Sequence, residues 1–218
     1  MKSQFYDSTQ VKEVRRAIEA LGLSVGYEYE KHRLVIENEM SNGLAYLRLP
    51  LSFKFEDGVD PQPMHYLMLL VQSGSAAVGV FDGEHCLSHK VFSAYMVRKK
   101  QGKSQIKHLK TKGKSRAGSR VRLASTLEFF ENINTRLNDH FANYEFDRVA
   151  LSCSKILIPY LYGSKVPTPF EKKDPRIYRI PKHLHQPNYE VMQGMQRYLQ
   201  KAELSFEEKA FPELIDLI

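Results

Sequence analysis

Several features that define other protein classes are missing from this sequence of 218 residues. The longest strongly apolar run, residues 66–71, is far short of the roughly 18 apolar residues of a membrane helix. The N-terminal residues lack the basic-then-apolar pattern of a signal peptide. Cys86 and Cys153 are the only cysteines, and they lack the paired spacing of zinc sites and disulfide frameworks. We therefore expect a cytoplasmic protein with no membrane contact, no metal and no cofactor.

Acidic residues are missing altogether from one segment. Between positions 98 and 122 the sequence has eleven basic residues and no acidic one. Because the whole chain has 32 basic and 25 acidic residues, the remainder has 21 basic residues and a net charge of −4. A concentrated cationic segment on a mildly acidic body is typical of docking on phosphates, since neutralising them releases counterions.

The length and the apolar periodicity predict a single α/β domain spanning residues 1–218. A short capped helix is expected between Asp7 and Gly22. Strands are predicted at 34–37, 44–51, 66–71, 76–81, 86–97 and 148–153. This order of elements favours a mixed sheet with helices packed on it.

Two further helices are predicted in the second half of the chain. The first begins near Ser119, and its apolar stripe consists of Leu123, Leu127, Phe130, Leu137 and Phe141. The second places Val191, Met195, Tyr198 and Ala202 in register. An irregular stretch is expected at 159–187. The glycines and lysines that follow the strand at Val97 predict a mobile basic loop at about 98–118.

Two separated motifs resemble one known family. The first is 95–105, which reads Tyr-Met-Val-Arg-Lys-Lys-Gln-Gly-Lys-Ser-Gln and continues in the basic residues 112–120. The second is 174–181, which reads Asp-Pro-Arg-Ile-Tyr-Arg-Ile-Pro and precedes Pro-Asn-Tyr-Glu-Val at 187–191. Together they resemble the release-factor-like domain of the eukaryotic ribosome quality-control factors that cleave tRNA, and of their bacterial homologues. The resemblance covers residues 85–200.

This resemblance implies a fold, an activity and a site. The fold would be like the catalytic domain of the eukaryotic class I release factor, itself related to ribonuclease H-like α/β folds. The activity would free a nascent chain from peptidyl-tRNA on a stalled large ribosomal subunit, with ribosomal RNA as a further partner. The catalytic glutamine would be Gln105, in a loop formed with Gly102, Lys103 and Ser104. Lys103 stands where the eukaryotic loop has a second glycine, which narrows the accessible backbone conformations.

The chemistry of a glutamine limits what Gln105 does. Its amide is neutral at cellular pH, so it orients a nucleophile or stabilises developing charge instead of acting as a strong base. If the bond cut is the ester between peptide and tRNA, Gln105 would position a water molecule against the carbonyl carbon. If it is a phosphodiester near the CCA end, the loop would align a ribose 2′-hydroxyl. The sequence leaves both alternatives open.

The basic residues around Gln105 are expected to contact the phosphate backbone of tRNA or ribosomal RNA, with little sequence discrimination. They are Arg98, Lys99, Lys100, Lys107, Lys110, Lys112, Lys114 and Arg116. Arg116, close to the following helix, is equally compatible with a solvated helix face.

Two other classes of function are kept open. One is a ribosome- or RNA-binding adaptor that has this fold and no catalysis. The other is a ribonuclease H-like metal-dependent nuclease, for which the available carboxylates are Asp57, Asp60, Asp82 and Glu84, at spacings that form no recognisable metal cluster. The histidine pairs 85/89 and 183/185 lack an evident third ligand. Cys153, between two serines, lacks the glycine-flanked turn of a nucleophile, and Tyr160 and Tyr162 are candidates for stacking on RNA bases.

Overall fold

The computed structural model describes residues 1–38, 41–56, 61–94 and 114–217. The strands are β1 (Lys2–Tyr6), β2 (Ser24–Glu28), β3 (Arg33–Asn38), β4 (Ser41–Arg48), β5 (Phe53–Lys54), β6 (Gln62–Pro63), β7 (His65–Gln72), β8 (Ser75–Asp82), β9 (His85–Ser93), β10 (Arg148–Cys153), β11 (Ile177–Arg179) and β12 (Ala202–Phe206). The helices are α1 (Val11–Ala20), α2 (Lys114–Asn143), α3 (Ile158–Tyr162) and α4 (Tyr189–Leu199), with 3-10 turns at Ser8–Gln10 and Pro212–Leu217. This arrangement confirms the predicted α/β class.

Internal packing divides the chain into two compact units. The first unit comprises Met1–Tyr66, Asp82–His85 and Gln193–Ile218. The second unit comprises Leu67–Phe81 and Cys86–Met192. The single-domain organisation expected from the sequence stays a prediction. None of the helices in the described ranges has the length and apolarity that crossing a membrane requires.

The first unit is built on an antiparallel sheet with strand order β1-β12-β4-β3-β2. The capped helix predicted near the N-terminus is confirmed as α1, and Gly22 follows it with a positive φ of 77°. Val14 and Ile18 of α1 join Leu47 of β4 and Leu204 of β12 in one apolar core. The predicted buried face of β4 is therefore confirmed, although the strand ends at Arg48 and not at residue 51.

The second unit is built on a sheet with strand order β11-β10-β7-β8-β9. A two-residue turn at Ser73 and Gly74 joins β7 to β8, with Gly74 at a φ of 80°, and the predicted hairpin is confirmed. Both central strands are buried at six consecutive positions, as their apolar runs require. The buried α2 side chains of this core are Phe129, Phe130, Ile133 and Leu137, and the partly buried Phe141 packs against it.

The structure corrects the predicted start and stripe of the long helix. α2 begins at Lys114, so residues 114–118 of the predicted loop are helical. Phe130 and Leu137 are buried as predicted, but Leu123 is 52% exposed and Leu127 is 40% exposed. These two leucines precede Phe129, the first α2 side chain in the buried core, and this position explains their exposure among the described residues.

The region after β10 is also more regular than predicted. The stretch expected to be irregular contains α3 and β11. Asn134 of α2 is fully buried and donates to the carbonyl oxygens of Leu161 at 2.9 Å and Val166 at 2.8 Å, which ties α3 to α2. The last helix ends at Leu199, and Ala202, assigned to it from the sequence, begins β12.

The motif at 174–181 has a visible structural role. Arg176 donates to Asp174 through Nε at 3.0 Å and through Nη2 at 2.7 Å, and its backbone N–H donates to the same carboxylate. The Arg176 carbonyl then accepts from the N–H of Val149 on β10. This bidentate pair therefore sets the position at which β11 joins β10 in parallel register.

Replacing Gly79 by alanine tests the close packing on β8. An added Cβ would lie 2.6 Å from Cε2 of Phe81 and 2.8 Å from the sulfur of Met192, and the Phe81 ring is buried. We expect Gly79→Ala to lower the free energy of unfolding by about 1–3 kcal/mol in denaturant titrations. Gly26→Ala on β2, where nothing lies within 4 Å of the added Cβ, is the control and should leave stability nearly unchanged. Equal stability of the two variants would contradict this packing.

The Asp174–Arg176 pair predicts a pH-dependent stability. The hydrogen bonds from Arg176 hold the pKa of Asp174 below its usual range. A carboxyl whose pKa is lowered by folding stabilises the protein above its unfolded pKa of about 3.9, and the contribution disappears as the pH falls through the folded value. Asp174→Asn should thus cost about 1 kcal/mol at neutral pH and nothing in strong acid. Glu171→Gln, at an exposed carboxylate nearby, is the control; a pH-independent Asp174→Asn deficit would refute this origin.

Candidate active site

The predicted catalytic glutamine and the other residues of its loop lie outside the described part of the chain. They are Gln105, Gly102, Lys103 and Ser104. The same holds for the expected RNA-binding residues Arg98, Lys99, Lys100, Lys107, Lys110 and Lys112. Lys114 and Arg116 lie in the first turn of α2. The structure thus describes the elements on either side of this segment, and the roles of its residues stay predictions.

β9 and α2 flank the segment and lie side by side. The backbone N–H of Ala94, just after β9, donates to the carbonyl oxygen of Gly74 at 2.9 Å, which fixes the end of β9 beside the β7–β8 turn. Phe92 and Ala94 line a cleft of about 200 Å³ together with Ser125 and Phe129 of α2. The residues that lead into the segment are therefore held against the helix that follows it.

Four strands of the second unit end at the edge of the sheet where this segment begins. β7 and β9 run in the same direction, because each is a hairpin neighbour of β8. The N–H of Ser154, after β10, donates to the carbonyl oxygen of Val71 near the end of β7 at 3.4 Å, and β11 is parallel to β10. The carboxyl ends of parallel strands are where open α/β sheets bind ligands. Ala94, the last described residue before the segment, therefore lies at the edge that this architecture favours for a site.

The burial of α2 is described from Leu123 onward. Among its described side chains, Thr126 is the first that is buried. The preceding twelve residues of α2, 114–125, extend about 18 Å along the helix axis at 1.5 Å per residue. The exposed Leu123 belongs to this part of the helix. A long helix thus follows the segment that carries Gln105.

The described residues offer no activated thiol. Burial raises the pKa of the Cys153 thiol to about 12 and also raises the pKa of Cys86. A thiol with such a pKa stays protonated at neutral pH and is a poor nucleophile. The raised pKa of Cys153 therefore agrees with the sequence-based interpretation that this residue is not a nucleophile.

Metal ligands are also not gathered in the described ranges. Those residues contain no group of three or more His, Cys, Asp or Glu side chains that could hold an ion. The ring centroids of His183 and His185 lie 5.0 Å apart. Oδ1 of Asp82 lies 2.9 Å from Nε2 of His65. Asp57 and Asp60 fall outside the described residues. The carboxylates considered for a nuclease therefore form no described cluster.

The two tyrosines considered for RNA stacking pack against protein rings. Tyr160 stacks on Phe130 with centroids 5.9 Å apart, although it is still 39% exposed. Tyr162 meets the ring of Phe170 edge-on at 6.2 Å, and burial raises the pKa of its hydroxyl to about 12. The structure thus accounts for both side chains through packing.

Comparisons found known proteins that are similar to this chain. A curated mouse (Mus musculus) relative, the tRNA endonuclease ANKZF1, is 24% identical over 135 residues, which are 60% of this chain and 18% of the mouse protein. The chain thus spans less than a fifth of that relative. A solved structure, the Vms1 mitochondrial localization core, is 12% identical, with a TM-score of 0.41 and coverage of 94% of this chain and 85% of that chain.

The family comparison covers both sequence motifs. The model of the Bacteroidetes VLRF1 release factor family matches residues 66–207, from the central strand β7 to β12. This match contains the glutamine-containing segment between β9 and α2 and the Asp174–Arg176 turn that leads into β11. The matched region is well over half of the sequence, and the chain belongs to the Bacteroidetes VLRF1 release factor family.

Proposed function

We propose that this protein frees nascent chains from tRNA on stalled large ribosomal subunits, with Gln105 as the catalytic glutamine. Membership of a release factor family is the observation that carries the proposal. The mouse relative, named as a tRNA endonuclease, supports tRNA as the substrate class. The basic residues between Arg98 and Arg116 would hold RNA phosphates around the reacting bond.

The position of the segment supports this assignment. It follows the carboxyl end of β9, which lies at the same edge of the sheet as the carboxyl ends of β7, β10 and β11. A site at this edge is supported by the strands of the sheet. A side chain in the segment that follows them, such as Gln105, would then be able to reach a bond inside the ribosomal subunit. The ribosome would complete the site around the bond.

In the first form of the reaction, water attacks the ester carbonyl that joins peptide and tRNA. The Gln105 amide oxygen accepts a hydrogen bond from the water and orients its lone pair toward the carbonyl carbon. The ester bond breaks, the peptide leaves as a carboxylic acid, and the ribose oxygen of tRNA takes up the proton. Glutamine acts here through position and not through basicity.

In the second form, a ribose 2′-hydroxyl near the CCA end attacks the adjacent phosphorus. The products are a 2′,3′-cyclic phosphate on the shortened tRNA and a 5′-hydroxyl on the nucleotide that stays with the peptide. Gln105 aligns the 2′-hydroxyl, and lysines such as Lys103 offset the charge that grows on the phosphate. The 3′ end of the released tRNA separates the two forms, because only ester hydrolysis leaves an intact CCA end.

Replacing Gln105 by alanine should strongly slow release. We expect the rate of release from purified large subunits that carry peptidyl-tRNA to fall by about 10²-fold or more, because an orienting group is removed. The measurement scores the freed peptide and the sequence of the tRNA 3′ end. Gln101→Ala is a matched control, since it removes the same amide four residues away in the same segment.

The same experiment distinguishes an adaptor from an enzyme. If Gln105→Ala and Gln101→Ala both behave like the wild type, and none of the three releases peptide above background, the protein binds without cutting. In that case the family fold would serve to recruit or hold another factor on the subunit.

The basic segment should make binding to large subunits strongly salt-dependent. Changing Lys99, Lys100 and Lys107 to glutamine should weaken binding and flatten the plot of log Kd against log salt by about 0.7–0.9 for each phosphate that is no longer neutralised. The control changes Lys165, Lys172 and Lys173, which are exposed lysines outside this segment, to glutamine. Equal slopes for the two triple variants would mean that net charge, and not this segment, drives binding.

A further inference from the structure

A second cationic site lies at the same edge of the sheet. It is a cleft of about 330 Å³ at the end of β10, called here the β10 cleft. Gln72 at the end of β7, Cys153 at the end of β10 and Arg179 at the end of β11 line it. The chain after β10 adds Lys155, and the chain after β11 adds Lys182 and His183.

The charge of the β10 cleft is of one sign. Lys155, Arg179 and Lys182 are exposed cations, and no aspartate or glutamate is among the described side chains that line the cleft. Lys155 comes from the chain after β10, and Arg179 and Lys182 come from the end of β11 and the chain after it; the parallel pairing of the two strands brings them to the edge where such sheets bind ligands. The half-buried Ser152 and Ser154 also line the cleft and provide hydroxyl donors. This combination fits a phosphate group.

The shape and chemistry favour a phosphate of an RNA backbone. Among the described residues, no aromatic ring other than that of His183 lines the cleft, so it lacks a large platform for stacking a base. Long exposed cations with hydroxyl donors are typical of sites that hold a nucleic acid backbone without reading its bases. β10 lies three strand spacings from β9, so the cleft is about 15 Å from the end of β9 along the same edge of the sheet.

We propose that the β10 cleft binds a backbone phosphate of RNA, at a point separate from the basic segment that follows β9. The RNA identity follows from the proposed function, whereas the phosphate chemistry rests on the cleft alone. The site binds and does not cut, because burial keeps the Cys153 thiol protonated and no carboxylate base is among the described residues that line it. Its effect would be to fix the direction in which the RNA crosses this edge of the sheet.

A charge-matched pair of variants tests the cleft. Lys155, Arg179 and Lys182 are changed together to glutamine, and the control carries glutamine at Lys165, Lys172 and Lys173, exposed lysines of the same unit outside the cleft. Both variants have three fewer positive charges than the wild type. The measurement is the affinity of a labelled single-stranded oligoribonucleotide over a range of salt concentrations, with thermal unfolding as a check that each variant is folded.

We expect the cleft variant to bind the oligoribonucleotide about 10-fold more weakly than the control, with a salt slope smaller by about 1 for each phosphate that the cleft no longer neutralises. In the wild type, RNA should shift backbone amide NMR signals at 152–158, 179, 180, 182 and 183, and the cleft variant should not show those shifts. Equal weakening in both variants, or no shifts at these positions, would overturn the proposal.

Two small probes separate the sources of phosphate. Orthophosphate and ADP should compete with RNA for the cleft only at much higher concentrations than the oligoribonucleotide. If ADP binds more tightly than RNA, the cleft is a nucleotide site and the RNA assignment is wrong. These binding measurements need no ribosome, so they stand even if Gln105→Ala proves to release peptide normally.

Discussion

The burial of β7 and β8 on both faces is the constraint on which the second unit depends. Each of these strands is inaccessible at six consecutive positions, so neither face of the pair can carry a site that meets solvent. Their backbone groups must also be paired, and β10 and β9 supply those pairs on either side. On β7 and β8, polar and charged side chains are thereby confined to the strand ends. The segment after β9 and the β10 cleft both lie at the carboxyl ends, where loops are free to carry chemistry.

The sequence predicts those helices and strands whose apolar residues recur at the spacing that places them on one buried face. This is why α1, β7, β8 and β10, with their apolar periodicity, agree with the structure. β1 and β2 were not predicted, because most of their side chains are exposed and their apolar pattern is weak. β1 is held by pairing with β12, as between Lys2 and Phe206, and a partner so far along the chain leaves no local pattern. The prediction that Leu123 and Leu127 are buried was wrong for a related reason. Helical spacing shows which side chains share one face of a helix, but not which part of that face packs against a sheet.

The two proposed sites differ in how much of each can be recognised from the sequence. Gln105 and its neighbours form one contiguous motif, so their residue types and spacing are visible in the chain itself. The β10 cleft joins Lys155 to Arg179 and Lys182 across an intervening helix and turn. Only the parallel pairing of β10 with β11, set by the Asp174–Arg176 turn, brings them together. In the sequence alone, Arg179 is recognised only as part of the 174–181 motif. His183 is recognised only as one of two nearby histidines that lack a third metal ligand.

A second phosphate-binding point would change what the basic segment alone can do. A run of lysines attracts RNA of any sequence and in many orientations, because counterion release does not depend on direction. Two separate points of attachment on the same strand restrict the RNA to the orientations that satisfy both, and the second attachment forms within a molecule that is already bound. A glutamine that works by position gains from this restriction, since misplacing the reacting bond by about 1 Å costs on the order of 10²-fold in rate. The β10 cleft would therefore contribute to the reaction without touching the reacting atoms, by limiting how the tRNA end meets Gln105.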